Sequence, residues 1–464
     1  MPSPNRRRRR PRPASAQAGA APSRPADERP ARSGVDLPRA TLAADTSTAS
    51  ASLPAVWVAL AGVILLLAFA LRVVDIGLQP LQPAEASIAV QAWLADRGEP
   101  GGLISEPLLL SGTWLVFALF GASDTAARSF PLLVGTAVVA LPLLARRHLG
   151  SGATLLSMLF LATSPTLVYY SRHAEGAVLA AGSGLATVLL GYRLWETGWR
   201  RHAVAAGVAL GLLMISGPTA YYTLAAIAAF SGMAWLGSRS RRYRGLASLF
   251  PAPDSASPDG DWGGMAPAST PGRAVLLAGA TTVGVGSTAW LTNPAGLQGV
   301  LESLGIWLGG VFAPSTASPL AYLVGLAGYE PLLLLLAIEG GAAAIARRDS
   351  LGSAFTWWAL GAFTLATLSG DRPIGALAQV IVPMALLAGS AAAEMLGRID
   401  WQREGRRFAY FVVGAVVLLT NLMIAVNHVS TPEPVVPQEL AIASVVLLCA
   451  GIAVAVGTVG KNAT

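Results

Sequence analysis

From Leu53 onward the chain is written in apolar stretches about 20 residues long, separated by loops that hold most of its charges. An α-helix needs ~20 apolar residues to cross the hydrocarbon core of a bilayer, and inside that core the backbone must satisfy its own hydrogen bonds. The stretches 53–74, 127–145, 151–170, 177–195, 202–217, 219–236, 274–292, 319–345, 351–369, 374–396, 408–427 and 438–459 meet this description. The run Pro107 to Phe120 is shorter and reads as an interfacial or re-entrant helix. The pattern predicts an all-α, polytopic membrane protein of about 12 transmembrane helices. Composition agrees: 53% of residues are hydrophobic and 12% charged, against roughly a quarter charged in soluble domains. A soluble enzyme, a disordered chain and a fibrous chain are excluded.

Charge placement predicts topology. Of the 32 basic residues, 27 fall in the first 50 residues or in loops on the same side of a twelve-span arrangement. By the positive-inside rule that side is the cytoplasm, so both termini are expected there, in a plasma membrane. The five exceptions are Arg72, Arg97, Arg128, Arg172 and Arg372. Counting 107–120 as a full span would put Arg146 and Arg147 outside, so the bias favours the re-entrant reading. The high pI, about 10.0, is thus mainly a topology signal. It also suits contact with anionic lipid headgroups, at about 1 kcal/mol per residue. The arginine-rich tail has no aromatic residue to stack on bases, and no nucleic-acid partner is expected.

Four segments follow. Residues 1–50, with the run Arg6 to Arg10, read as a disordered cytoplasmic tail. The run after it ends in Arg72 without an Ala-x-Ala site, which argues for a spanning helix over a cleaved export signal. Residues 51–236 form an N-terminal transmembrane module whose extracytoplasmic loop, 75–126, has helical patterning over Ala84 to Ala95. Residues 237–273 form a Pro/Gly/Ser/Asp-rich cytoplasmic linker, and 274–464 a C-terminal transmembrane module. The single cysteine, Cys449, has no disulfide or zinc partner and reads as packing, and no metal cluster is evident.

Three charged clusters stand at the outer ends of spans: Pro83-Ala84-Glu85-Ala86, Tyr169-Tyr170-Ser171-Arg172-His173-Ala174-Glu175, and Gly370-Asp371-Arg372-Pro373. Ionisable groups beside lipid are costly and therefore functional candidates. A carboxylate to take a proton from a hydroxyl, with arginines to hold a phosphate, would suit transfer from a phosphate leaving group. The plainer reading makes each cluster an interfacial cap or anchor.

Residues Leu119 to Pro131, reading L-F-G-A-S-D-T-A-A-R-S-F-P, resemble a segment of the GT-C membrane glycosyltransferases of the protein-mannosyltransferase and aminoarabinose-transferase type. Glu106-Pro107-Leu108 is similar to their juxtamembrane helix start, Arg146-Arg147-His148-Leu149-Gly150 to a cytoplasmic turn, and Ser164 to Arg172 to their S-P-x-x-x-x-Y-S-R stretch. The resemblance covers residues 65–225. It implies an inverting transferase with a polyprenyl-phosphate-sugar donor and a site facing away from the cytoplasm, under the first loop with its juxtamembrane helices. It places an Asp-Glu pair where this chain reads Ala84-Glu85, and charges where it reads Gly217-Pro218-Thr219. On that footing Glu85 and Glu175 are the expected catalytic carboxylates. Arg172, His173, Arg372 and Arg128 are the expected phosphate or donor ligands. The same departures support a second reading, a non-catalytic relative that binds lipid-linked sugar and is associated with a flippase. A secondary transporter ranks third, because no internal repeat is visible and the charges lie at the interface.

The remaining features have plain readings. Trp93, Trp114 and Trp307 belong to an interfacial belt. The Gly207/Gly211 and Gly305/Gly309 spacings are packing faces or chance. His148, His202 and His428 form no cluster. Glu330 and Glu339, inside the eighth span, are expected to meet neighbouring polar groups.

Overall fold

The structure, a computed structural model, describes residues 55–239 and 271–398 except positions 100–101, 103–104, 295, 316–317 and 319. The tail, most of the 237–273 linker and the expected spans 408–427 and 438–459 lie outside these residues. The described residues are helical, with no strand among them. The first part comprises α1 (Ala55–Val73), α2 (Pro83–Asp96), α3 (Pro107–Phe120), α4 (Asp124–Ala140), a 3-10 turn and α5 (Arg146–Leu149), α6 (Ser151–Thr163), α7 (Pro165–Ser171), α8 (Ala177–Thr197), α9 (Arg200–Met214) and α10 (Ala220–Arg239). The second comprises α11 (Pro271–Ser287), α12 (Gly296–Val311), α13 (Ala321–Tyr329), α14 (Pro331–Arg347), α15 (Ser350–Leu368) and α16 (Ala376–Gly397).

Five helical stretches are long and apolar enough to cross a bilayer: α1, Asp124–Leu149, α8, α15 and α16. Two bent pairs bring the number to seven at most: α6 with α7, bent by 59°, and α13 with α14, bent by 105°. The protein is a multi-pass membrane protein, and the described residues carry fewer full-length spans than the twelve read from hydropathy. The stretches 202–217 and 274–292 fall short because their helices stop early. The first stops at a turn with Gly217 at φ +117°, and the second at Ala289, Trp290 and Leu291, all at positive φ. Residues 107–120 form the short helix expected of them. The helix α12, between two expected spans, went unread because hydropathy alone gave it no boundary.

The apolar faces divide between lipid and protein. Only 17% of the α1 span is buried, with Val56, Val63 and Leu66 turned outward, whereas 83% of the α16 span is buried among its neighbours. Small residues let α16 sit that deep. A Cβ on Gly389 would lie 2.1 Å from Ser157 Oγ, and one on Gly340 of α14 would lie 2.3 Å from the Leu387 carbonyl. Helices in hydrocarbon associate through such close backbone approach. The Gly207/Gly211 spacing works the same way against α11, while Gly305 and Gly309 meet nothing within 4 Å.

Both bent pairs are stitched by buried polar groups, because a break frees carbonyls that lipid cannot satisfy. The buried Arg72, on α1, donates to the Leu161 and Ala162 carbonyls (both 3.2 Å) at the α6–α7 break, to Ala68 O (3.0 Å) and to Ser171 Oγ (3.1 Å). Glu330 stands at the α13–α14 break and accepts from the Ser164 hydroxyl (2.5 Å) and the Thr166 N–H (3.3 Å). The two breaks therefore meet each other, which supplies the polar partner expected of Glu330.

The loop motifs are helix punctuation. Gly121, at φ +83°, ends α3, and the Ser123 hydroxyl caps α4 by accepting from the Ala126 N–H at 3.1 Å. Ser164 caps α7 and Pro165 opens it.

Candidate functional site

The three charged clusters lie at one end of the bundle, the end that carries the 75–123 loop. Glu85 stands on the first turn of α2 and is fully buried. It accepts from Arg128 Nε (2.9 Å) and Nη2 (2.6 Å), from the Gln82 N–H (2.8 Å) and from the Ala174 N–H (2.8 Å). Arg128, on α4, gives its other N–H groups to the carbonyls of Ile76 (2.9 Å), Gln79 (2.8 Å) and Pro80 (3.1 Å). All five guanidinium N–H groups are engaged, and so are the four acceptor positions of the carboxylate. Burial raises the Glu85 carboxyl, but the bonds from Arg128, Gln82 and Ala174 and the Arg128 charge outweigh it and hold the group at about 2. This geometry leaves Arg128 without a donor for a phosphate and gives Glu85 little affinity for a proton. Both residues lock the first loop onto α4 and onto the turn after α7.

That turn carries the groups free to meet a ligand. Arg172 is half-buried, and its guanidinium makes no hydrogen bond or ion pair among the described residues. The His173 ring stacks on Tyr169 (4.1 Å between centroids), and its Nδ1 lies 2.8 Å from the Tyr169 carbonyl, an arrangement that assigns a proton to Nδ1 and leaves Nε2 for a ligand. Glu175 is partly buried. Burial raises its carboxyl, His173 lowers it and the Glu85 charge raises it, with a net upward shift.

Glu106 was not singled out by the sequence as a site residue, yet it belongs here. It precedes Pro107 at the start of α3 and accepts the Gly176 N–H at 3.0 Å. A Cβ on Gly176 or on Gly217 would come within 2.9 Å of the Glu106 side chain, so two glycines from two different turns make its cradle. Burial and the Glu175 charge push the Glu106 carboxyl up to about 8, against the pull of the Gly176 N–H. An acid before a helix-opening proline was visible in the sequence, but the glycines that receive it are distant in the chain.

The third cluster reaches the same end. The Gly375 Cβ position lies 3.2 Å from Ala177 Cβ, 3.4 Å from Thr219 Cγ2 and 3.8 Å from the Tyr170 ring. Arg372 itself, at φ +46°, donates through Nε to the Thr367 carbonyl (3.1 Å) and through Nη1 to the Ser315 hydroxyl. Its guanidinium is thus directed partly to the segment between α12 and α13. Among the described residues no three His, Cys, Asp or Glu side chains stand together as a metal site would need.

Residues 107–247 match the family of dolichyl-phosphate-mannose-protein mannosyltransferases. Among solved structures, ArnT from Cupriavidus metallidurans bound to undecaprenyl phosphate superposes with a TM-score of 0.53 at 18% identity, covering 87% of this chain and 70% of that one. The apo state of the same protein gives 0.51 at 18% identity, with the same coverage. The oligosaccharyltransferase AglB from Archaeoglobus fulgidus gives 0.47 at 12% identity over 86% of this chain and 55% of that one. No curated protein matches the sequence. The fold is like that of ArnT, and the motifs at 119–131, 146–150 and 164–172 all lie inside the stretch that matches the mannosyltransferase family.

Proposed function

We propose that this chain transfers a sugar from a polyprenyl-phosphate donor to an acceptor hydroxyl on the extracytoplasmic side of the membrane. The observation that carries the reading is the unengaged Arg172 three residues from the partly buried Glu175, at the loop end of a GT-C fold. In the transfer the acceptor oxygen bonds to the anomeric carbon and its proton passes to a carboxylate. The bond from that carbon to the phosphate oxygen breaks, and the electron pair leaves on the polyprenyl phosphate. Arg172 offsets the charge that grows on the phosphate. His173 Nε2 hydrogen-bonds a hydroxyl of the sugar or, when it carries a proton, a phosphate oxygen. Arg372 reaches the lipid phosphate only if its bonds to Thr367 and Ser315 give way. Glu85 and Arg128 are positioning residues that hold the 172–176 turn through the Ala174 N–H.

The test uses the purified protein in nanodiscs with polyprenyl-phosphate hexose and pentose donors and envelope extract as acceptor. Release of polyprenyl phosphate is followed by mass spectrometry. Wild type releases it, and Arg172→Ala lowers the rate at least tenfold. The saturated Glu85, with Ala84 beside it, favours one other reading, a protein that binds lipid-linked sugar without turning it over. Donor retained on the wild-type protein without release of polyprenyl phosphate would establish that reading instead.

A further inference from the structure

The proposed transfer needs a group to take the acceptor's proton, and the saturated Glu85 is a poor one. The other acids of the loop end narrow the choice. Asp75, Asp96, Glu99, Asp124 and Asp371 are exposed and are not set into the site. Glu106 and Glu175 are partly buried and meet across Gly176: the first accepts that residue's N–H, and the second is its chain neighbour.

We infer that Glu106 and Glu175 act as a carboxyl pair that holds one proton in the resting site and takes the acceptor's proton on its ionised member. The inference rests on the transfer reading above and names the base within it. Three features of the structure support it. Gly176 and Gly217 leave the space that the Glu106 side chain occupies, since a Cβ on either would come within 2.9 Å of it. Among the described residues the carboxylate accepts a backbone N–H, and no arginine or lysine side chain bonds it. The Glu175 charge raises the Glu106 carboxyl, and like charges coupled in this way resist double ionisation. The proton thus passes from the acceptor hydroxyl to the carboxylate of the pair as the new bond forms. The doubly protonated pair then returns one proton to external water.

The electrostatic surroundings come from every element packed here. The turn after α7 brings Glu175 and His173, and behind them Glu85 with its Arg128. The turn after α9 brings the Ser216 carbonyl, which a Gly176 Cβ would strike at 2.3 Å. From α12, Ser303 donates its hydroxyl to the Ser105 carbonyl, and its chain neighbour is Glu302. The sign follows from the raised carboxyl. Glu106 is protonated at neutral pH and ionises as pH rises through about 8.

The plain alternative is that Glu106 merely caps the start of α8 through the Gly176 N–H. Glu106→Gln separates the two, because its amide oxygen still accepts that N–H while the titrating group is gone. In nanodiscs, the pair predicts that Glu106→Gln and Glu175→Gln each slow transfer by about a hundredfold or more, with polyprenyl-phosphate binding unchanged. Infrared titration adds a readout independent of turnover. Wild type shows a protonated carboxyl band at pH 7 that Glu106→Gln removes, and in Glu175→Gln the same band titrates at lower pH. A Glu106→Gln protein that transfers within twofold of wild type, or keeps the band unchanged, overturns the pair and leaves Glu106 a cap. A wild-type protein that shows the band but transfers no sugar overturns the transfer reading, and with it the role given to the pair.

Discussion

Removing the Glu85–Arg128 contact should be among the costliest single changes in the loop end. The carboxyl is held at about 2 against its ordinary 4.5, a difference that corresponds to about 3 kcal/mol at ~1.4 kcal/mol for each tenfold change in affinity. Breaking a buried ion pair by removing one partner costs ~3–5 kcal/mol, because the other charge is left unpaired. Glu85→Gln strands a guanidinium that still has three carbonyl partners, and Arg128→Met strands a buried carboxylate that retains only the Gln82 and Ala174 N–H groups. The double variant removes both charges. It is therefore expected to cost less than the sum of the two single changes, with a coupling energy of about 3 kcal/mol. The assay is reversible unfolding in mixed micelles followed by tryptophan fluorescence, run on wild type, the two single variants and the double variant. Additive costs, with a coupling below about 1 kcal/mol, would refute the argument that the pair acts as one buried unit.

Other outcomes follow from the same contacts. Because the Glu85 carboxyl is depressed, its contribution is fully present above about pH 4.5 and is lost as pH falls toward 2, so thermal stability measured against pH should drop across that window in wild type and less in Glu85→Gln. Arg72→Leu should destabilise the α6–α7 break by about 1–3 kcal/mol for each carbonyl it leaves unsatisfied, seen as faster proteolysis near residues 161–171. Gly340→Val should disrupt the α14–α16 crossing, since even a Cβ there would sit 2.3 Å from the Leu387 carbonyl; unchanged thermal stability would contradict that packing.

The helical, membrane-embedded class and the short helix at 107–120 were legible because apolar run length is a local property. The break at Ser164-Pro165 was not, because apolar composition runs through it and 151–170 reads as one stretch, although a serine and a proline cap the second helix there. What hydropathy could not show was which polar side chains meet. Arg72 read as the charged end of a span, but it is buried and fills the break of another helix 90 residues away. Arg128 read more readily as an anchor of the loop than as a phosphate ligand, and its five simultaneous bonds favour the anchor. Glu106 escaped notice because its significance depends on Gly176 and Gly217, two of 50 glycines in the sequence. The count of twelve spans is not confirmed among the described residues, where apolar composition continues through turns at which the helices 200–214 and 271–287 have stopped.

The central claim is that a lipid phosphate docks at the loop end, beside Arg172. An experimental structure of the protein in nanodiscs saturated with undecaprenyl phosphate tests it most directly. The account predicts phosphate density within hydrogen-bonding distance of the Arg172 guanidinium, with the Glu85–Arg128 pair intact behind it. Phosphate density at the opposite end of the bundle, or bound to Arg128 with Glu85 displaced, would contradict it.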